Sequence, residues 1–354
     1  MDQTMYDDNK IRRARQHFPE RKKKKRKTKI PNLMEEDELQ KSEQRTNWDG
    51  RRLVKYQGFW CPLPFFRLVL SAQKHFKAKA SDLILSSLPK SGTTWLKALT
   101  FSLANRNIYP NIDTQSPLLT SNPHKVVPFL ELNLYLNQEN PDLENQEFST
   151  TRIFATHVPF DALPSSISKS ECKIIYICRN PLDQFISFRH FSLQNKFGEE
   201  DHHAGPLELD GAFDMFCDGV HPFGPFSEHM IGYWDAHLKN ADKVLFLKYE
   251  DLKDDIALHV RKIAEFMGCP FSLEEEERGL VEKISRVCSF DNLKNLEVNK
   301  NGYSVNGIVK NSSYFRKGEV GDWANYLTPA MAERMEKVIK SKLQGSGLTL
   351  NINS

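Results

Sequence analysis

The sequence predicts an α/β fold: a single domain with a central parallel sheet flanked by helices. Three observations carry that prediction. Four short runs, DLILSSL (82–88), RIFATH (152–157), CKIIYIC (172–178) and KVLFLKY (243–249), are rich in β-formers and often continuously apolar. Strands buried on both faces of a parallel sheet read this way, because neither face meets water. Longer amphipathic stretches separate the runs, and strands alternating with helices build a parallel sheet. The third observation is size. A chain of 354 residues, 39% hydrophobic and 27% charged, has material for one large core, which excludes whole-chain disorder, collagen-like repeats and disulfide scaffolds.

The elements follow in chain order. Residues 1 to about 45 are highly charged, with few apolar residues and no periodicity, so a disordered tail is expected before a folded domain at 46–354. The run RKKKKRKTK (21–29) would suit a nuclear address or an anionic surface, but a solvated extension is the simpler reading; Met34 would serve as an alternative start. Residues 1–50 hold 14 Lys/Arg against 10 Asp/Glu, and the other 304 hold 35 against 36. The domain is therefore not a basic nucleic-acid binder by charge. YQGFWCPLPFF (56–66) is aromatic and interrupted by Gly and Pro. It reads as too irregular for a helix and suits a covering loop or a short strand with buried rings. Helices are expected over 94–106, 182–194 and 255–268, the last closed by Gly268. No window reaches the roughly 18 apolar residues of a membrane span. The six cysteines are scattered, none in a CxxC pair or beside His at zinc spacing, and Cys172 and Cys178 sit in an apolar run as small hydrophobes. A cytoplasmic protein without a metal site is expected.

The sharpest local pattern is strand, then Pro89-Lys90-Ser91-Gly92-Thr93-Thr94-Trp95, then helix. Such a turn is a P-loop-like anion site, since free N–H groups and the helix dipole both favour negative charge. Gly92 permits the turn, Ser91, Thr93 and Thr94 add hydroxyls, and Lys90 adds charge. It departs from the nucleotide loop GxxxxGK[ST], because Lys precedes Gly, which argues against an ordinary ATPase or GTPase. A second junction runs from CKIIYIC through Arg179-Asn180-Pro181 into a helix carrying Ser187. Arg179 stands at the carboxyl end of a strand, where open α/β sheets gather ligands, and an Arg–Ser pair suits a second phosphate; a surface salt bridge is the other reading. The third segment is Phe315-Arg316-Lys317-Gly318-Glu319-Val320-Gly321-Asp322-Trp323. A loop closing over an anion and a plain surface loop fit it equally. Among 11 histidines, His157 stands out by its place at the carboxyl end of the RIFATH strand. A neutral imidazole there can accept a hydroxyl proton near pH 7.

Together these segments resemble the cytosolic sulfotransferase family, from about Trp48 to Leu348. LPKSGTTW resembles its 5′-phosphosulfate loop, YICRNPLDQFISF its 3′-phosphate segment, and FRKGEVGDW its C-terminal motif. NPHKVVPFLE (122–131) and FLKYEDL (246–252) look most like plant members. The resemblance implies transfer of a sulfuryl group from 3′-phosphoadenosine 5′-phosphosulfate (PAPS) to a hydroxyl of a small molecule. It implies that Lys90 to Trp95 hold the phosphosulfate, with Trp95 on adenine. Arg179, Ser187, Arg316, Lys317 and Gly318 would take the 3′-phosphate, and Tyr249 and Phe290 would lie against adenine. His157 would be the base and Lys90 a second catalytic group. Animal members often carry Lys two residues before that His; here Ala155 stands there, and the animal dimer motif is broken at Ala324 and Pro329. A monomer or weak dimer is expected, with no nucleic-acid or membrane partner. The acceptor reading is a flavonoid or other phenol, with a brassinosteroid, a hydroxyjasmonate or a desulfoglucosinolate as alternatives. A kinase and a non-catalytic nucleotide binder are the remaining classes. The first is disfavoured by the Lys-before-Gly loop, the second by the presence of both His157 and Lys90.

Overall fold

The computed structural model describes residues 33–138, 140–143, 151–195, 207–304 and 307–352. Its centre is a four-stranded parallel sheet made of β4 (Leu83–Ser86), β5 (Ile153–Thr156), β6 (Lys173–Cys178) and β7 (Val244–Lys248), in the spatial order β5-β4-β6-β7. All four expected strands are present. Every residue of β4 and β5, and all but one in each of β6 and β7, is buried. That explains why the runs are apolar without alternation. Two large clusters of buried side chains cover the two faces, one around Phe154, Tyr176 and Tyr233, the other around Leu85, Leu99 and Ile177.

The expected helices form at Thr93–Asn105, Pro181–Asn195 and Ile256–Phe266. Pro181 begins its helix, where the missing N–H is harmless. Gly268, at φ 79, closes the third; its N–H reaches the Glu265 carbonyl and the Cys269 N–H that of Ala264. This is a Schellman cap, which needs a residue at ease in the left-handed region.

The N-terminal part differs from the sequence expectation. Residues 1–32, including the basic run at 21–29, lie outside the described residues. Leu33–Lys41, however, is a helix, and β1 (Gln44–Thr46) pairs antiparallel with β2 (Arg52–Tyr56). The ordered region thus reaches back some way before residue 46. Pairing through the backbone explains this, because it demands nothing apolar of an exposed edge strand. Within 56–66, β2 and β3 (Phe59–Pro62) form a hairpin, as a short strand with buried rings, while Leu63–His75 is a helix. Pro64 falls in its first turn and so starts the helix rather than breaking it.

Candidate functional site

Register along the parallel sheet assembles the site. Ser86 pairs with Thr156 and with Tyr176, and Cys178 pairs with Lys248. The strands therefore end together, and the residues just beyond them are Ser87, His157, Arg179 and Tyr249. Four groups distant in sequence meet at one carboxyl edge, the ordinary ligand position of such sheets.

The turn after β4 is tightly wound. Lys90 has φ 71 and Gly92 φ 113. A left-handed lysine is an uncommon conformation that the surroundings must enforce. A Cβ on Gly92 would lie 3.0 Å from both Ile177 and Tyr249, so only glycine lets the loop approach them. The Thr93 hydroxyl meets that of Ser87 at 2.6 Å, and Gln184 donates to the Pro89 carbonyl at 2.7 Å, which ties this loop to the helix after Arg179. The Lys90 ammonium donates to the Ser313 carbonyl (3.2 Å) and lies 4.5 Å from the Phe191 ring centre.

The other two segments expected to bind phosphate are locked to each other. Asp183 is fully buried; its carboxylate lies 3.4 Å from Arg179 and accepts the N–H groups of Gly321 (2.8 Å) and Trp323 (3.0 Å). Arg316 and Lys317 each donate to Asp322 at 2.5 Å. Burial would raise the Asp322 carboxyl, but hydrogen bonds from Lys317, Arg316 and Asn325 outweigh it and hold it at about 2. Tyr249 lies beneath the Arg179 guanidinium, 4.5 Å from its ring centre, and donates to the Gly318 carbonyl at 3.1 Å. A Cβ on Gly318 would meet the Phe290 ring at 2.5 Å.

These segments border one cavity of about 940 Å³. Lys90, Gly92, Thr93, Thr94 and Trp95 line it, as do His157, Arg179, Ser187, Tyr249, Phe290, Arg316, Lys317 and Gly318. Ser91 is the exception: it is buried and faces a small gap beside Leu88, Tyr176 and Cys178. Three cations converge. The Lys90 ammonium is lowered to about 7, by burial first and then by repulsion from Arg179 and Arg316. The buried Nε atoms of Arg179 and Arg316 have no hydrogen-bond partner. Mutually repelling cations gathered on one cavity fit an anionic ligand.

His157 sits where this cavity meets apolar walls. Its Nδ1 lies 2.7 Å from the Ser87 carbonyl oxygen, so Nδ1 carries the hydrogen and Nε2 keeps a lone pair. Burial lowers this imidazole to about 3, so the neutral form is the resident one. The rings of Phe129 and Phe223 flank it at centroid distances of 4.7 and 5.5 Å. Phe65, Phe129, Leu136 and Phe223 also line the cavity, while Phe213 and Phe226 belong to the core.

Sequence reasoning missed several polar groups behind these residues. Glu131 is fully buried and accepts the His157 backbone N–H at 2.7 Å; burial raises its carboxyl to about 7. His229 bridges the Tyr176 hydroxyl and the His157 carbonyl, each at 3.0 Å. Lys97 is fully buried and contacts His124, which contacts Thr94. The signal for Lys97 was a lone charge within the apolar stretch TWLKALTFSL, and those for His124 and Glu131 lay inside NPHKVVPFLE, which was legible only as a plant-like motif.

Comparison with known proteins agrees with this geometry. The sulfotransferase domain family matches residues 80–347. Cytosolic sulfotransferase 15 of Arabidopsis thaliana is 48% identical over 308 residues, covering 86% of this chain and 84% of that protein. A crystal structure of an Arabidopsis thaliana protein described as a steroid sulphotransferase superposes with a TM-score of 0.68 at 35% identity, over 88% of this chain and 94% of that one. A mouse sulfotransferase complexed with PAP gives 0.62 at 27% identity, over 83% and 95%.

Proposed function

Because the chain belongs to the sulfotransferase family, we propose that its cavity binds PAPS by both anionic ends and passes the sulfuryl group to a small hydroxylated acceptor lying against His157. The observation that carries this reading is the convergence of Lys90, Arg179 and Arg316 on one cavity, next to an imidazole whose free nitrogen can take a proton. PAPS, when bound, supplies a sulfuryl group on a phosphate leaving group. The chain supplies the rest. Lys90 and the loop of Gly92 to Thr94 hold the phosphosulfate end, and Trp95, Tyr249 and Phe290 flank the adenine. Arg179, Ser187, Arg316, Lys317 and Gly318 hold the 3′-phosphate. His157 Nε2 accepts the hydroxyl proton while the acceptor oxygen bonds to sulfur and the sulfur–oxygen bond to the phosphate breaks. Positive charge at Lys90 stabilises the charge that develops on the leaving phosphate. The products are a sulfate ester, PAP and the proton left on the imidazole. Among the described residues no helix is long and apolar enough to cross a membrane, and the relatives' cytosolic names support a cytoplasmic location.

The acceptor reading is a flavonoid or other phenol, supported by the aromatic walls around His157. A second reading, an acceptor that also carries an acid, such as a hydroxyjasmonate, is favoured by Arg67. That half-buried guanidinium lines the same cavity and has no ion pair among the described residues. A PAPS-dependent assay over phenols, steroids and hydroxy acids tests both readings. Turnover confined to phenols supports the first, and turnover confined to hydroxy acids that Arg67→Leu weakens supports the second. Turnover with ATP and Mg²⁺ but not with PAPS would overturn the donor.

A further inference from the structure

Lys97 is the least expected charge in the molecule. It lies on the helix that follows the phosphosulfate loop, is wholly buried, and does not line the cavity. Its Nζ lies 2.9 Å from the Val127 carbonyl oxygen, 3.1 Å from His124 Nδ1 and 3.3 Å from the centre of the Phe129 ring. These are three acceptors for the three N–H groups of an ammonium: a carbonyl, a ring lone pair and a π-face. Burial pushes this amine down, opposed by the nearby Glu131 carboxylate. The donor geometry to Val127 and His124 is available to either protonation state.

The direction of the chain of hydrogen bonds follows. Where Lys97 donates to both, as an ammonium or as a neutral amine with two N–H groups, His124 Nδ1 is bare and its hydrogen sits on Nε2. His124 Nε2 lies 2.8 Å from Thr94 Oγ1. That contact is then a donation from the imidazole to the hydroxyl oxygen, and the Thr94 hydrogen is left to point elsewhere. Thr94 lines the cavity at the loop read as holding the phosphosulfate. The imidazole cannot turn away to break the chain, because it is stacked between Tyr314 (4.0 Å) and Phe129 (5.4 Å).

We infer that Lys97 and His124 form a buried one-way donor relay that fixes the Thr94 hydroxyl as a donor toward the leaving phosphate. Lys97 is a positioning residue: it touches no substrate, and acts by setting the tautomer of His124. Polarised chains of this kind strengthen the terminal donor, and a donor aimed at developing charge acts mainly on the chemical step. The inference rests on the proposed function of the loop, and the experiment separates the two.

The test is a double-mutant cycle of Lys97→Met and Thr94→Val, reading kcat, the KM for PAPS and melting temperature, with Thr94→Ser as the conservative control. Lys97→Met should lower kcat roughly ten- to hundredfold, the scale of one hydrogen bond to a charged group, with the KM for PAPS changed by less than about threefold. In the Thr94→Val background it should change kcat no further, while Thr94→Ser should restore its effect. Wild-type kcat in a Lys97→Met protein that melts normally, or full additivity with Thr94→Val, would overturn the relay. Nitrogen-15 NMR of His124 in the wild type decides independently, even if Lys97→Met fails to fold. Hydrogen on Nε2 is expected, and hydrogen on Nδ1 would overturn it. A wild type without PAPS-dependent turnover would instead count against the function, leaving the tautomer to decide the relay.

Discussion

The Nδ1 of His157 donates to the carbonyl of Ser87 across 2.7 Å, joining the end of one central strand to the loop that follows its neighbour. That single bond fixes the tautomer, aims Nε2 into the cavity, and couples the position of the proposed base to the start of the loop proposed to hold the phosphosulfate.

Burial and the neighbouring Arg179 and Arg316 hold Lys90 at about 7, against an ordinary value of 10.5. An anion placed between Lys90, Arg179 and Arg316 favours the charged amine and returns its pKa upward. Near pH 8.5 PAP binding should therefore take up about one proton. Calorimetry in buffers of different ionisation enthalpy measures this. Uptake should vanish in Lys90→Ala, and proton release by the wild type would contradict the account.

Glu131 titrates in the opposite sense. Burial raises its carboxyl from 4.5 to about 7. The native state then holds a proton that the unfolded state gives up between those values, so this group's contribution to stability falls as pH rises through that window. Glu131→Gln should flatten that slope in melting temperature against pH. It should also remove any acid limb near pH 7 in kcat/KM, because His157 itself stays neutral down to about 3. A limb near 7 that survives Glu131→Gln would assign it to the imidazole.

Asp183→Asn should weaken PAP binding roughly tenfold or more and lower the melting temperature. The buried carboxylate both faces Arg179 and accepts two N–H groups of the C-terminal loop, and breaking such a pair leaves a buried charge without its partner. Isothermal titration with PAP checks this, and unchanged affinity would show that the loop is held by other contacts.

Gly318→Ala should also reduce PAP affinity. Its φ of 71 and the 2.5 Å approach of an added Cβ to Phe290 mean that the loop or the ring must move. Wild-type affinity and melting temperature together would contradict that packing argument.

The strands and their loops were legible because each is a local signal: apolar runs for β4 to β7, and hydroxyls, Gly and Lys before a helix for the loop at 89–95. Arg179 was legible as a strand-end residue once the sheet was read as parallel, whereas Tyr249 was legible only through the family resemblance. The groups behind the site were not. Lys97, His124, Glu131 and His229 matter through partners far along the chain, such as Glu131 with the His157 amide and His229 with Tyr176, and no periodicity encodes which buried polar groups will meet. The helix at Leu33–Lys41 escaped notice for the reverse reason. It is polar, so composition made it look like tail. The Gly and Pro residues made 56–66 read as too irregular for a helix, yet a helix begins at Leu63 with Pro64 in its first turn.

The most direct test of the central claim is His157→Ala, measured for PAPS-dependent turnover and for PAP affinity in the same preparation. Removing the proposed base should lower kcat about a hundredfold or more, while PAP, whose proposed partners are Lys90, Arg179 and Arg316, should bind within about threefold of wild type. Turnover within a few-fold of wild type would remove His157 from the chemistry, and loss of PAP binding in a folded protein would place it among the groups that hold the nucleotide instead.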